Sequence, residues 1–269
     1  MIEHWLITGD THRKFSRFKN LDKTPNTGII ILGDAGLNYT LDENDYDTKR
    51  ALCKQYPYDF YCVRGNHEAR PSDVPGMELW YDENVKGFVW MEEEFPRIKY
   101  FQEWSVYEID GLKTLVVGGA YSVDKWWRLS RGAKWFENEQ LTEAERDRCI
   151  QYAKGQQFDL VLSHTCPLSL QPMDLFLRGL DQSTVDNTME VWLEELVNSI
   201  EWKLLLFGHY HADRIEWPHV EQFYLEMELL TDIVARWKKY DETGELDWWL
   251  PISPRMKRIM ELKAMEGLK

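Results

Sequence analysis

The chain has 269 residues, of which 43% are hydrophobic, and carries a formal net charge of −14 at pH 7. The apolar content excludes a disordered chain, a collagen-like chain and a small disulfide-stapled module, and the length fits one large domain or two small ones. Because an acidic surface repels nucleic acids and anionic membranes, a phosphate-bearing ligand would need a local positive centre such as bound metal ions.

Six short apolar runs recur along the chain, and polar residues follow each of them. They are residues 5–8, 29–32, 60–63, 115–117, 160–162 and 204–207. Continuous apolar runs of about four residues are typical of strands that are buried on both faces. The sequence therefore predicts six buried strands.

Helical patterns lie between these runs, at residues 43–56, 142–154 and 185–200. The second of them opens with Thr142 and Glu145, which resembles a capping box. The third places its apolar residues at helical spacing, as expected for a helix that packs one face on a core.

A different pattern occupies residues 87–110. Its β-rich pieces, 88–90, 98–100 and 105–109, suggest a meander that is closed by the turn residues Asp110 and Gly111. Strands that alternate with helices, together with such a meander, predict an α/β sandwich with a mixed sheet.

The last part of the chain, residues 221–269, is charged and helical in pattern, and it lacks the glycine-polar strand ends seen earlier. No linker or repeat separates it from the rest. We therefore predict a single domain over residues 1–269, with 221–269 as a C-terminal extension packed on it.

Potential metal ligands follow five of the predicted strands. In open α/β sheets, the carboxyl ends of the strands are where functional sites form. Those positions here carry Asp10, His12, Asp34, Asn66, His67, His164, His209 and His211. Oxygen and imidazole ligands together suit Mn, Fe, Zn or Ni better than Ca or Mg. So many ligands exceed the needs of one tetrahedral ion and suit two divalent ions that share a carboxylate and clamp a displacement at phosphorus.

These residues resemble the motifs of the calcineurin-like metallophosphoesterase superfamily. The matching motifs are Gly9-Asp10-Thr11-His12, Gly33-Asp34, Gly65-Asn66-His67-Glu68, His164 and Gly208-His209-Tyr210-His211. The resemblance spans residues 9–211. It implies a four-layer α/β/β/α sandwich with two mixed β-sheets, and a metal-dependent hydrolase of phosphate esters.

The resemblance also implies a role for each residue in a dinuclear centre. The first ion would be held by Asp10, His12 and His211, and Asp34 would bridge the two ions. The second ion would be held by Asn66, His164 and His209. A bridging hydroxide would attack phosphorus, and His67 would act as the general acid that protonates the leaving oxygen.

The chain departs from one branch of the superfamily, the protein serine/threonine phosphatases. That branch carries an Asp-Arg-Gly segment shortly after the second Gly-Asp, where the Asp orients the acid His and the Arg grips phosphate. The corresponding place here reads Leu37-Asn38-Tyr39. This difference argues against protein phosphatase activity and makes Asn38 a candidate for orienting His67 or the substrate.

An aromatic and basic segment, residues 121–136, follows the fourth predicted strand. It contains Trp126, Trp127, Trp135, Lys125, Arg128 and Arg131. Two interpretations stay open: a loop that covers the metal ions and contacts substrate, or a packed surface loop. We expect the loop to border the site, with Trp127 and Arg128 as substrate contacts.

Other functions remain as alternatives to a phosphoesterase that acts on a small phosphorylated substrate. A phosphodiesterase or nuclease could use the same residues, although the acidic balance and the lack of a basic stripe argue against long nucleic acid. A non-catalytic protein-binding scaffold would be indicated by the loss of ligands or of His67, and all of these residues are present. Purely structural metal sites would be expected to use Cys-rich ligation, which the sequence lacks.

The four cysteines, Cys53, Cys62, Cys149 and Cys166, form no tight framework and indicate free thiols in a reducing compartment. The N-terminal residues lack the apolar stretch of a signal peptide, and no apolar run is long enough to span a bilayer. The sequence therefore predicts a cytoplasmic protein with no membrane partner.

Overall fold

The computed structural model describes residues 1–21, 24, 26–176 and 182–266. Its main elements in chain order are β1 (His4–Thr8), β2 (Thr27–Ile31), α1 (Glu43–Gln55), β3 (Asp59–Cys62), β4 (Met77–Asp82), β5 (Gly87–Glu92), β6 (Ile98–Tyr100), β7 (Trp104–Ile109), β8 (Leu112–Val117), α2 (Lys125–Arg131), α3 (Glu143–Ala153), β9 (Gln157–Ser163), α4 (Thr188–Ser199), β10 (Glu201–Phe207), β11 (Arg214–Trp217), β12 (Val220–Gln222), β13 (Met227–Leu229), α5 (Leu230–Thr243) and α6 (Pro254–Glu266). None of the helices in these ranges is both long and apolar enough to cross a bilayer.

The described strands form two mixed sheets. The first has the order β13-β1-β2-β3-β6-β5-β4, with β1, β2, β3 and β6 parallel and the other strands antiparallel to their neighbours. The second has the order β11-β12-β10-β9-β8-β7, with a parallel centre from β12 to β8 and antiparallel edges. The parallel strands of each sheet therefore end at a common edge.

Three apolar clusters show how the layers pack. Ile30 of β2 and Leu162 of β9 share the cluster between the two sheets. Ile29 of β2 points to the opposite face, where it packs with Leu52 of α1, because side chains alternate along a strand. Trp192 of α4 covers the outer face of the second sheet. The four-layer α/β/β/α sandwich predicted from the sequence is confirmed.

All six predicted buried strands are present, but the predicted meander is wrong. β5 and β6 pair within the first sheet, whereas β7 pairs with β8 in the second sheet. The turn at Asp110 and Gly111 closes this β7–β8 hairpin, and both residues have the positive φ values, 53° and 73°, that suit a two-residue hairpin turn. The chain crosses from one sheet to the other between β6 and β7, and the sequence analysis also missed β4.

The segment after residue 220 contributes strands as well as the predicted helices. β13 pairs with β1 in the first sheet, and β12 pairs with β10 in the second. Arg236 of α5 hydrogen-bonds Glu221 of β12 and Glu228 of β13, so one buried side chain ties the two sheets together. Residues 267–269 of the predicted extension lie outside the described residues, and the single-domain assignment stays a prediction.

Candidate metal centre

Five strand ends meet at one edge of the sandwich and carry the candidate ligands. They are the carboxyl ends of β1, β2 and β3 in the first sheet and of β9 and β10 in the second. The loops approach so closely that a Cβ at Gly33 would lie 1.9 Å from Nδ1 of His164, and a Cβ at Gly208 would lie 2.5 Å from Oδ1 of Asp10. Gly33 also has a φ of +100°, which other residues rarely adopt. Glycine after these strands therefore lets the two sheets bring their polar ends together.

The first group of ligands consists of Asp10, His12 and His211. Nε2 of His211 lies 3.1 Å from Oδ2 of Asp10 and 3.0 Å from Nε2 of His12. The three residues satisfy the spacing needed to surround a single cation. Asp10 is buried, whereas the two imidazoles are partly exposed, so this group lies nearer to solvent than the second.

The second group contains Asp34, Asn66 and His164. Nδ1 of His164 bonds the main-chain oxygen of Leu32 at 2.9 Å, which leaves Nε2 to face Oδ1 of Asn66 at 2.9 Å and Oδ2 of Asp34 at 3.8 Å. Asn66 in turn donates from Nδ2 to the hydroxyl of Ser122 at 2.8 Å. These outer hydrogen bonds hold the ligand atoms in one direction, as is usual around metal sites.

Asp34 and His209 differ from the other predicted ligands in their positions. Oδ2 of Asp34 lies 3.8 Å from Nε2 of His12 and 3.8 Å from Nε2 of His164, so it stands between the two groups. The ring of His209 lies 4.9 Å from the ring of His164, and its main-chain N–H donates to Oδ1 of Asp10. His209 thus lies beside the second group, although it belongs to neither of the two closest sets of Asp and His ligand atoms among the described residues.

The charges of these side chains fit a bound cation. Burial, followed by the negative charges of Asp10 and Glu68, raises the pKa of Asp34 well above its ordinary value. Asp10 is also buried, yet the approach of Nε2 of His211 to its Oδ2, at 3.1 Å, and the nearby imidazoles lower its pKa to about 2. Its Oδ2 still accepts no well-formed hydrogen bond from the described residues. Two carboxylates that repel each other in a buried place are stabilised by a cation between them.

The imidazoles also fit metal binding. Burial lowers the pKa of His12 to about 4 and that of His209 to about 3, and it lowers the pKa of His164 as well. These rings are therefore neutral at neutral pH and keep a lone pair for a metal ion. Nε2 of His12 and Nε2 of His211 stand 3.0 Å apart, so a single cation could contact both nitrogens.

The backbone is strained where ligands occur. The φ values of four non-glycine residues here are positive: 43° at His12, 47° at Asp34, 67° at His209 and 53° at His211. Left-handed backbone is uncommon for such residues and concentrates at functional sites, where the surrounding fold enforces it.

His67 and Arg128 stand next to the ligands. The main-chain N–H of His67 donates to Oδ1 of Asp34 at 2.8 Å, and Nε2 of its ring lies 3.2 Å from Nη2 of Arg128. Burial, and then the charge of Arg128, lower the pKa of His67 to about 3. In the ligand-free protein the His67 ring is therefore neutral, and Nε2 accepts the hydrogen bond from Arg128.

Arg128 is held in place by two residues that the sequence analysis did not single out. Nε of Arg128 donates to both carboxylate oxygens of Asp124, at 2.8 and 2.9 Å, and Nη1 donates to the hydroxyl of Tyr39 at 3.2 Å. Asp124 precedes Arg128 by one helical turn on a basic, aromatic segment, which is the sequence signal that could have found it. No local pattern connects Tyr39 with Arg128.

The other two predicted substrate contacts have different surroundings. Asn38 is fully buried, and its side-chain amide has no hydrogen-bond partner among the described residues. Trp127 lies on α2, where a loop was expected, and the residue is 58% exposed to solvent. Neither is among the described residues that line the cleft beside the metal ligands. Tyr39, rather than Asn38, connects this part of the chain to His67 through Arg128.

A cleft of about 710 Å³ opens beside the ligands, a size that is typical of small-molecule sites. Its lining includes Asp34, Asn66, His67, His209 and His211. The remaining described lining residues are Tyr121, Val123, Asp124, Gln171, Leu175, Phe176, Gln182, Thr184, Val185, Asp186, Asn187, Glu190 and Tyr210. The cleft therefore connects the candidate metal centre with the first turn of α4.

Comparison with known proteins places this arrangement in a family. No curated protein matches the sequence closely enough to count as a relative. Among solved structures, the phosphopantetheinyl hydrolase PptH of Mycobacterium tuberculosis aligns with a TM-score of 0.40 and 13% identity, over 90% of this chain and 93% of that one. The calcineurin-like phosphoesterase family matches residues 4–213, which include every candidate ligand. The chain is a member of the calcineurin-like phosphoesterase family.

Proposed function

We propose that this protein hydrolyses phosphate esters of small molecules with the help of two divalent metal ions, drawn from Mn, Fe, Zn and Ni. One observation carries the proposal: two buried carboxylates, Asp10 and Asp34, meet neutral imidazole nitrogens at one edge of the sandwich, beside a cleft of about 710 Å³. Membership of a metal-dependent family supports the same function.

The proposal assigns Asp10, His12 and His211 to one ion. It assigns Asn66, His164 and His209 to the other, and Asp34 to both. Metal ions held by these residues would supply a water molecule of lowered pKa as nucleophile and would stabilise negative charge on the phosphoryl oxygens. The chain supplies the fixed positions of the ligand atoms, which the hydrogen bonds behind Asn66 and His164 maintain.

Arg128 would bind the phosphoryl group, and His67 would protonate the leaving oxygen. Arg128 Nη2 can donate to a phosphoryl oxygen, since its other nitrogens are held by Asp124 and Tyr39. Burial and, after it, the charge of Arg128 lower the pKa of His67. A bound phosphate would offset that charge and would take the hydrogen bond that Arg128 gives to Nε2. His67 could then carry a proton on Nε2 and donate it to the leaving oxygen.

A panel of substrates tests the proposed function. The protein is stripped with a chelator, reloaded with Mn, Ni, Zn or Mg, and assayed on phosphomonoesters and phosphodiesters. We expect metal-dependent hydrolysis of small esters. Preference for diesters would favour the phosphodiesterase alternative, and no hydrolysis with any metal would favour a non-catalytic scaffold.

Replacing Arg128 with alanine is expected to reduce kcat/KM by roughly 10–100-fold, the usual worth of a hydrogen bond to a charged group, without loss of metal. Arg131→Ala is the matched control, because Arg131 lies exposed on the same helix. Steady-state kinetics and metal content are the measurements. Equal activities of the two variants would remove Arg128 from the substrate site.

The proposed contact of Trp127 with the leaving group has its own test. Because the ring is exposed on α2, Trp127→Ala should leave the fold and the metal content unchanged. If Trp127 touches the leaving group, the variant will change the ranking of substrates by kcat/KM. An unchanged ranking would show that Trp127 does not contact the leaving group.

A further inference from the structure

Besides Asp34, three acidic residues line the cleft: Asp124, Asp186 and Glu190. None of the described lining residues is a lysine or an arginine. Asp124 forms an ion pair with Arg128 through two hydrogen bonds. Asp186 and Glu190 lie at the start of α4 and have no basic side chain among their hydrogen-bond partners in the described part of the chain.

Glu190 has an unused oxygen. The residue is only 3% exposed although it lines the cleft, and Oε1 accepts a hydrogen bond from the hydroxyl of Thr165 at 2.6 Å. Oε2 is buried and has no hydrogen-bond partner among the described residues. A buried acceptor without a partner lowers the stability of the folded protein, and a charged one lowers it more. The protein therefore maintains an open acceptor that a ligand could satisfy.

Asp186 adds a second negative charge to the lining of the cleft. Its Oδ1 accepts the main-chain N–H of Thr188, and its Oδ2 accepts Nε2 of Gln140, both at 2.9 Å. These bonds fix the carboxylate beside the first turn of α4. Burial raises the pKa of Glu190, and the charge of Asp186 raises it further. A cation bound between the two would relieve this repulsion.

We infer that the substrate is a phosphate ester whose alcohol part carries a protonated amine, which Glu190 and Asp186 bind where the cleft meets the first turn of α4. The inference rests on the proposed function for the phosphate group of the substrate. For the amine it rests on the Glu190 oxygen that has no hydrogen-bond partner among the described residues. Val123, Leu175 and Phe176 line the same cleft, so an apolar linker between phosphate and amine would find apolar contacts there.

A purely structural role for Glu190 predicts something different. Thr165 also lies 3.1 Å from the hydroxyl of Tyr210, and Tyr210 lies between the ligands His209 and His211. If Glu190 only braces this contact, its replacement will lower the rate with every ester by the same factor. A role in amine binding instead affects only esters that carry the amine.

Matched pairs of esters separate these cases. Each pair is an ω-aminoalkyl phosphate and the alkyl phosphate in which a methyl group replaces the ammonium, and the series covers increasing chain lengths. We expect the best amine to exceed its neutral partner by about tenfold or more in kcat/KM, the factor expected for a charge-assisted hydrogen bond. Glu190→Gln should abolish this ratio, mainly through KM.

Glu195→Gln is the matched control, because Glu195 lies exposed on the same helix, and it should keep the wild-type ratio.

Calorimetric titration of the metal-free protein with the best amino alcohol gives a readout independent of hydrolysis, and Glu190→Gln should weaken this binding by a similar factor. Two results would overturn the inference: equal kcat/KM for the amine and neutral esters in the wild type, or an equal loss of kcat/KM for both esters in Glu190→Gln. Either result would leave the proposed function intact. No hydrolysis of any ester would overturn the proposed function, and the titration would still decide whether the amine binds.

Discussion

Replacing Asp34 with asparagine is expected to remove metal binding and hydrolysis together. Oδ2 of Asp34 is 3.8 Å from Nε2 of His12 and from Nε2 of His164, so its charge serves both groups of ligands. An amide has nearly the same shape but supplies no negative charge. Mutating a residue that hydrogen-bonds to a metal ligand typically lowers metal affinity by roughly 10–100-fold, and we expect a larger loss here. Hydrolysis should fall below about 1% of the wild-type rate.

The Asp34→Asn variant should still fold. The amide oxygen can accept the hydrogen bond that the main-chain N–H of His67 donates to Asp34, and asparagine tolerates the left-handed φ of 47° at this position. The pKa of Asp34 is higher in the folded protein than in the unfolded chain. At pH values above the unfolded-state pKa, Asp34 therefore lowers the free energy of unfolding of the metal-free protein. We therefore expect the metal-free variant to unfold at a temperature no lower than metal-free wild type.

Elemental mass spectrometry, steady-state kinetics and thermal unfolding are the measurements for Asp34→Asn. Asp47→Asn is the matched control, since Asp47 lies exposed on α1, and it should keep metal and activity. A variant at position 34 that retained both ions and the full rate would show that Asp34 is not a shared ligand.

His67→Ala is expected to keep both metal ions and to lose roughly 10²–10⁴-fold in rate, the usual contribution of a general acid. The contact between His67 and Asp34 comes from the main-chain N–H, which alanine retains. The loss should be smaller for a nitrophenyl ester than for an alkyl ester, because a good leaving group needs less protonation.

The measurements for His67→Ala are metal content and kcat for the two esters. His4→Ala, at an exposed position, controls for the removal of an imidazole and should behave as wild type. An emptied metal site would make His67 a ligand instead. A loss that is equal for both esters would indicate that the side chain positions Arg128 or the phosphate and does not donate the proton.

The candidate ligands could be found from the sequence because strand ends are local features. An apolar run that ends in Gly-Asp or Gly-His identifies a buried strand and the polar residue that follows it, and parallel strands bring such residues to one edge. The four-layer fold followed from the same motifs through the family resemblance. The pairing of β7 could not be predicted this way, since its apolar pattern does not say which of the two sheets it joins.

The surroundings of the centre depend on contacts between distant parts of the chain. Arg128 and His67 are 61 positions apart, and Tyr39 and Arg128 are 89 apart, so no spacing rule connects them. Asn38 and Tyr39 are neighbours in sequence, yet one is buried and the other contacts Arg128. Glu190 occurs among apolar residues of an amphipathic helix, and only the packing of α4 against the cleft shows that one of its oxygens is unused.

The most direct test of the dinuclear centre is anomalous diffraction from crystals of the Mn-loaded protein. We expect two peaks in each chain, about 3.5–4 Å apart, with Asp34 in contact with both. One peak should also contact the group of Asp10, His12 and His211, and the other the group of Asn66, His164 and His209. No peak at this edge of the sandwich, or a single peak held by one group alone, would contradict the dinuclear centre.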